Sequence, residues 1–206
     1  MKATWTSVIV FCVPLVVALL AGCAAQPAPQ TTPTDPLIGN LQQGGYVIFF
    51  RHGATDLSQK DTDKKNLQNC QTQRRLDDKG REQARRIGEA FKVFNIPVGD
   101  VLTSHYCRCI NTAKIAFGKA EPTMDITSIQ DVTPEVRRQR IGNLRKMLAT
   151  DPKPGTNTVL VAHKWMFKDA SGQLLEEGEA AIYKPQGNGM SHLIRRVKAQ
   201  EWDTFK

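Results

Sequence analysis

Tyr46-Val-Ile-Phe-Phe50, followed at once by Arg51-His52-Gly53, is the stretch on which the reading of this chain turns. A run of β-branched and aromatic residues without a polar interruption reads as a strand covered on both faces, the pattern of a parallel sheet between layers of helix. Here that strand ends abruptly in a guanidinium, an imidazole and a glycine. A second such run, Thr158-Val-Leu-Val-Ala162, ends in His163.

Working outward, the residues between these strands alternate in type. From Asp77 to about Phe94, Ala84, Ile87, Phe91 and Phe94 recur at helical spacing, with Asp77 or Asp78 placed to cap the helix and Pro97 beyond its end. Asp100-Val-Leu-Thr103 reads as a short strand. Ile110, Ala113 and Phe117 mark a helix closed by Gly118. Thr133-Pro134 opens another, with Ile141, Leu144 and Leu148 on its apolar face. Ala180–Tyr183 and Ser191–Val197 flank the turn Gln186-Gly-Asn-Gly189 and read as a strand pair, and residues 57–75 read as a long polar loop. Strands alternating with helices predict an α/β fold, a three-layer α/β/α sandwich with a mostly parallel sheet. Ligands in such folds sit beyond the carboxyl ends of the strands.

Composition narrows the class. With 206 residues, 40% hydrophobic and 23% charged, the chain fits one globular domain and not a coiled coil, a collagen or a polytopic membrane protein. The formal charge of +8 suits an anionic partner. The basic residues are dispersed, without an aromatic-and-basic motif, so no nucleic-acid partner is expected. His52, His105, His163 and His192 lie too far apart for zinc-type spacing, and no metal or other cofactor is expected.

The first segment is read as an address. Lys2 and the apolar run Val8–Leu20, interrupted by Pro14, lead into Leu20-Ala-Gly-Cys23. That tetrapeptide resembles the lipobox of bacterial lipoproteins, in which the cysteine is acylated after cleavage. Residues 1–22 are therefore expected to be a signal peptide and 23–36, with four prolines, a tether from acylated Cys23. Residues 37–206 are expected to form the folded domain. Ala24 after the cysteine resembles the sorting context for the outer membrane, so the expected location is the bacterial envelope, lipid-anchored and facing the periplasm.

Three predicted strand ends bring chemistry to one edge: Arg51-His52-Gly53, Ser104-His-Tyr-Cys-Arg108, and His163. Arg51-His-Gly-Ala-Thr55, Leu76-x-x-x-Gly80-Arg-x-Gln83-Ala84, the Ser104…Arg108…Thr112-Ala113 pattern and His163 after an apolar strand together resemble the histidine phosphatase superfamily, the phosphoglycerate mutase-like fold. The resemblance spans residues 44–197. It implies phosphorylation of His52 and hydrolysis of the phosphohistidine by water, with Arg51, Arg108 and His163 as donors to the phosphoryl oxygens and Gly53 and Thr55 in substrate binding. The chemistry of the residues agrees, because a neutral imidazole is a good nucleophile toward phosphorus and guanidinium forks match phosphate. The expected partner is a phosphorylated small molecule or envelope component, bound without a metal. A phosphomutase and a non-catalytic phosphate-binding lipoprotein are the alternatives.

Many members of the family carry an acid that protonates the leaving oxygen. Asp131 and Glu135 are the candidates here, outside any recognisable motif, and a missing acid would favour substrates with good leaving groups. Leu174-Leu-Glu-Glu-Gly-Glu179 after His163 is read as a solvated turn rather than as inward-facing acids, and Lys164 and Trp165 as rim residues or as groups that bind a phosphate and a ring. An exported protein meets an oxidising compartment, and Cys70, Cys107 and Cys109 remain for pairing. Cys107 and Cys109 are poorly placed to bridge one another within a helix. Cys109 falls beside the core stripe and Cys107 nearer the loop carrying Cys70, so the expected disulfide is Cys70–Cys107.

Overall fold

The computed structural model describes residues 1–2 and 35–205. The expected signal peptide, Cys23 and nearly all of the tether lie outside the described residues. The folded domain opens slightly earlier than expected. Asp35 caps helix α1 (Pro36–Gln43), its Oδ1 accepting the Leu37 amide at 2.9 Å, so Pro36 is the first helical residue rather than the last of a tether.

The remaining elements run β1 (Val47–Arg51), α2 (Asp78–Val93), β2 (Val98–Thr103), α3 (Cys107–Phe117), β3 (Glu121–Pro122), α4 (Pro134–Leu148), β4 (Asn157–Ala162), α5 (Lys164–Ser171), β5 (Ala180–Pro185) and β6 (Ser191–Val197). All six strands join one sheet in the order β3-β2-β4-β1-β5-β6. The β3-β2-β4-β1 portion is parallel, and β5 and β6 are added antiparallel.

The uninterrupted apolar strand is explained by two cores. Ile48 and Phe50 face α1, α2 and α3 through Leu37, Ile38, Leu41, Ile87, Phe91 and Ala113. Val47 and Phe49 face the opposite layer, with Leu144 and Leu148 of α4 and Met166 and Phe167 of α5. Period-two alternation thus sends successive side chains of β1 into separate cores, giving the three-layer sandwich.

Among the helices, α1 and α5 are the two without a sequence signal. Each is 8 residues long, too short for helical periodicity to stand out. α3 begins at Cys107, ahead of the first apolar residue of the expected stripe, because buried Cys109 and Thr112 extend its inward face. Asp77 rather than Asp78 caps α2, with Oδ1 accepting the Gly80 amide at 2.7 Å.

The site is positioned by the ends of the parallel strands. Arg51 pairs with Ala162, and Thr103 with Val161. The amides of His52 and Ser104 continue these ladders, donating to Ala162 O at 3.1 Å and Val161 O at 3.0 Å. The helix after β1 covers one face of the sheet and the helix after β4 covers the other. A crevice therefore opens at the carboxyl ends of these two neighbours.

Candidate active site

His52 sits just past β1 with 3% exposure. Its Nδ1 lies 2.8 Å from the carbonyl of Gly53, a contact that places the ring proton on Nδ1 and leaves Nε2 with a free lone pair. His163 caps the end of β4 beside it, with ring centroids 5.6 Å apart. The Nε2 of His163 lies 2.8 Å from Ser104 Oγ, which also accepts the Tyr106 amide at 3.2 Å.

Arg108, in the first turn of α3, is 4% exposed and lies over the Tyr106 ring, 4.3 Å from its centroid. Its Nη1 donates to both carboxylate oxygens of Asp61 at 3.0 and 3.3 Å. Arg51 donates from Nη1 to Leu175 O at 3.0 Å and pairs through Nη2 with Glu177 Oε1 at 3.1 Å. These groups border a cavity of about 400 Å³ lined by Arg51, His52, Arg74, Arg108, His163 and Glu177, with Leu57, Gln130, Lys164 and Trp165 completing its wall.

Burial and the surrounding cations act on the imidazoles in the same direction. Both are pushed well below the ordinary 6.5, first by desolvation and then by the charge of Arg108, with Arg51 and Arg74 adding to it. The histidines are therefore neutral at neutral pH. Cys109, fully buried at 3.7 Å from His163 Nε2, has its thiol pushed up to about 12 by burial, which leaves it an unreactive core thiol beside His163.

The turn after β1 explains the remaining motif residues. Gly53 N donates to Thr112 Oγ1 at 3.0 Å, and Thr112 in turn donates to Arg108 O at 2.7 Å. Ala54 N donates to Gln83 Oε1 at 2.8 Å, while Gln83 Nε2 donates to Glu177 O at 2.9 Å. A Cβ on Gly80 would stand 2.0 Å from Ala54 O, so only glycine lets α2 approach the turn this closely. The Gly80-x-x-Gln83 and Thr112 signatures thus satisfy the backbone that carries His52.

Arg51, His52, Arg108 and His163 are brought together as expected. Gly53 and Thr55 lie behind the cavity wall: the Gly53 amide is taken by Thr112, and Thr55 Oγ1 donates to Glu177 Oε1 at 3.2 Å. The expected proton donors do not reach the cavity. Asp131 occupies a positive-φ turn (58°) and pairs with Lys64 on the surface. Glu135, in the first turn of α4, is exposed and pairs with Arg138 at 3.0 Å. The acid on the cavity wall is Glu177, from the stretch read as solvated. Glu179 is 2% exposed and pairs with Arg196 at 2.7 Å. These carboxylates are drawn to arginines distant in the chain, half-buried Arg51 and exposed Arg196, which a run of acids does not reveal. Arg74 and Asp61, inside the polar loop, had no sequence signal at all.

The disulfide is present as expected. Cys70 and Cys107 are bonded, with Cα atoms 5.7 Å apart, and Cys109 is free.

A buried imidazole with a free nitrogen lies at the crevice of a parallel sheet, ringed by guanidinium groups, an arrangement chemically suited to an oxyanion. Residues 47–131 match the model of the histidine phosphatase superfamily (branch 1), so the chain is similar to that superfamily over this stretch. Solved structures agree on the fold. The protein histidine phosphatase SixA, complexed with tungstate, superposes with a TM-score of 0.53 at 16% identity, covering 76% of this chain and 98% of its own. The alpha-ribazole phosphatase from Shigella flexneri gives 0.56 at 12% identity, covering 75% and 96%. Phosphoserine phosphatase from Entamoeba histolytica, in complex with 3-phosphoglyceric acid, gives 0.55 at 14%, covering 76% and 98%. No curated protein sequence matches the chain.

The depressed imidazoles make stability depend on pH. Below about 6.5 the unfolded chain takes up protons at these two positions that the folded chain refuses, so stability falls as pH drops through 6.5 toward the folded-state values. Each histidine contributes at most about 1.4 kcal/mol per pH unit in that window. In phosphate-free buffer, His52→Asn and His163→Gln are each expected to flatten the fall in unfolding free energy between pH 6.5 and 5. An unchanged slope in both variants would mean that the imidazoles titrate normally.

Proposed function

We propose that the domain is a phosphatase that hydrolyses a phosphomonoester or a phosphohistidine through a phosphohistidine intermediate on His52. The observation that carries this reading is the state of His52: buried, neutral, its proton held on Gly53 O, and its free Nε2 beside a cavity walled by Arg51, Arg74 and Arg108.

In the first step Nε2 forms a bond to phosphorus as the bond to the leaving group breaks, and the leaving group departs with the electron pair. The positive charge gained by the ring is met by the Nδ1–H donation to Gly53 O. Arg51, Arg108 and His163 donate to the phosphoryl oxygens, where charge is concentrated in the transition state. In the second step water adds to phosphorus, the N–P bond breaks, and inorganic phosphate leaves as Nε2 recovers its lone pair. Guanidinium groups supply the neutralisation, so neither step calls on a metal.

Glu177 is already engaged by Arg51 and Thr55, leaving no unpaired carboxyl group on the cavity wall among the described residues. A leaving oxygen must then depart with little help from a proton, which favours aryl phosphates, acyl phosphates and phosphoramidates over alkyl esters. Attachment to the envelope through acylated Cys23 remains a proposal resting on Leu20-Ala-Gly-Cys23, and loss of fatty-acid labelling in Cys23→Ser is its direct check.

The protein is expected to hydrolyse p-nitrophenyl phosphate in the presence of a chelator and to act on alkyl phosphates far more slowly. His52→Ala should lower kcat by on the order of 10³-fold or more while preserving the fold. Activity retained by His52→Ala would overturn the mechanism. Tight vanadate binding without turnover of any phosphate compound would favour the phosphate-binding lipoprotein instead.

A further inference from the structure

We propose that Arg74 is a third guanidinium ligand of the phosphoryl group, delivered by the 57–75 loop and held at the cavity by the Cys70–Cys107 disulfide. The inference rests on the reading of the cavity as a phosphoryl site and assigns that site a residue from outside the strand ends.

Partnering singles out Arg74. Arg51 is paired with Glu177 at 3.1 Å and Arg108 with Asp61 at 3.0 Å. Arg74 lines the same cavity, yet among the described residues it has no carboxylate partner; its Nε–H is buried without an acceptor, as are those of Arg51 and Arg108, but it alone of the three also lacks an ion pair. A buried donor left without an acceptor is costly unless something else fills the role. Its neighbour Arg75 behaves differently: it is exposed, and its Nε donates to Gln59 Oε1 at 3.4 Å.

The charge balance points the same way. With both imidazoles neutral and two guanidinium groups already paired, the positive charges left over on the wall are Arg74 and Lys164. A phosphomonoester carries a charge of about −1.5 to −2 at neutral pH. Arg74 supplies charge to that anion without surrendering an existing ion pair. A guanidinium also offers a planar fork to a tetrahedral oxyanion, which an ammonium does not.

Anchoring comes from ties between the loop and the start of α3. The Arg74 amide donates to Asp61 Oδ1 at 2.9 Å, the same carboxylate that holds Arg108. Gln73 Oε1 accepts the Cys107 amide at 2.9 Å, and Gln73 Nε2 donates to Leu67 O at 2.8 Å. The disulfide closes the circuit between Cys70 and Cys107, the residue next to Arg108. The segment 57–75 brings little apolar surface to the cores, Leu67 being only partly buried, so covalent and polar ties do what packing does elsewhere.

Calorimetric titration of the oxidised protein with inorganic phosphate and with vanadate tests this, using Arg74→Gln, Arg74→Lys, Arg75→Gln and Cys70→Ser/Cys107→Ser, each checked for an intact fold by circular dichroism. Arg74→Gln is expected to weaken binding of both anions about ten-fold or more, Arg74→Lys to recover part of the loss, and Arg75→Gln to bind as wild type. The double serine variant, and wild type after reduction, should bind more weakly than the oxidised protein. Wild type that binds neither anion would remove the phosphoryl-site reading itself. Wild type that binds, with Arg74→Gln binding equally well, would overturn the role of Arg74 alone. Equal binding by the oxidised protein and the double serine variant would overturn the tethering role of the disulfide.

Discussion

The parallel pairing of β1 with β4 is the constraint on which the rest of the structure depends. Its register sets Arg51 against Ala162, so the next residues along the two strands are His52 and His163. A slip of one residue would exchange the faces of Ile48 and Phe50 with those of Val47 and Phe49 and put each set into the wrong core. The hydrophobic pattern of both strands therefore fixes the separation of the imidazoles. The chemistry is held by packing several residues away from it.

What the sheet brings together is electrostatically strained. Arg51, Arg74 and Arg108 converge on two buried imidazoles, and the imidazoles respond by remaining neutral. Asp61 and Glu177 take up two of the guanidinium groups, each from a segment that would otherwise have little reason to approach the cavity. Under the proposed function, an arriving oxyanion meets directed donors already in position, as a preorganised site requires to stabilise charge developing in a transition state. The same arrangement keeps His52 unprotonated. On that proposed function, burial and positive surroundings serve nucleophilicity and anion binding at once.

The sequence carried the parts of this account that repeat along the chain. β1 and β4 were legible because both are apolar without interruption, and Arg51, His52 and His163 because they follow those strands directly. Arg108 was legible from its place in the first helical turn beyond β2, Thr112 only through the resemblance carried by the Ser104…Arg108…Thr112 pattern, and the Cys70–Cys107 link from oxidising conditions and helical position. The stretch 174–179 was misread because its glutamates face arginines far away in sequence, Arg51 for Glu177 and Arg196 for Glu179. Asp131 and Glu135 had suitable chemistry and the wrong geometry, since a left-handed turn and an exposed first helical turn direct them outward. α5 was missed because an 8-residue helix with Met166 and Phe167 as its buried residues has no period to detect.

The central claim is that Nε2 of His52 is the atom that receives the phosphoryl group. Rapid-quench trapping during turnover of an aryl phosphate, followed by peptide mass spectrometry under alkaline conditions that preserve N–P bonds, tests it most directly. The account predicts a transient phosphoryl group on the peptide that carries His52, discharged by acid. Phosphate found on another residue, or turnover with no covalent adduct at any time point, would contradict it.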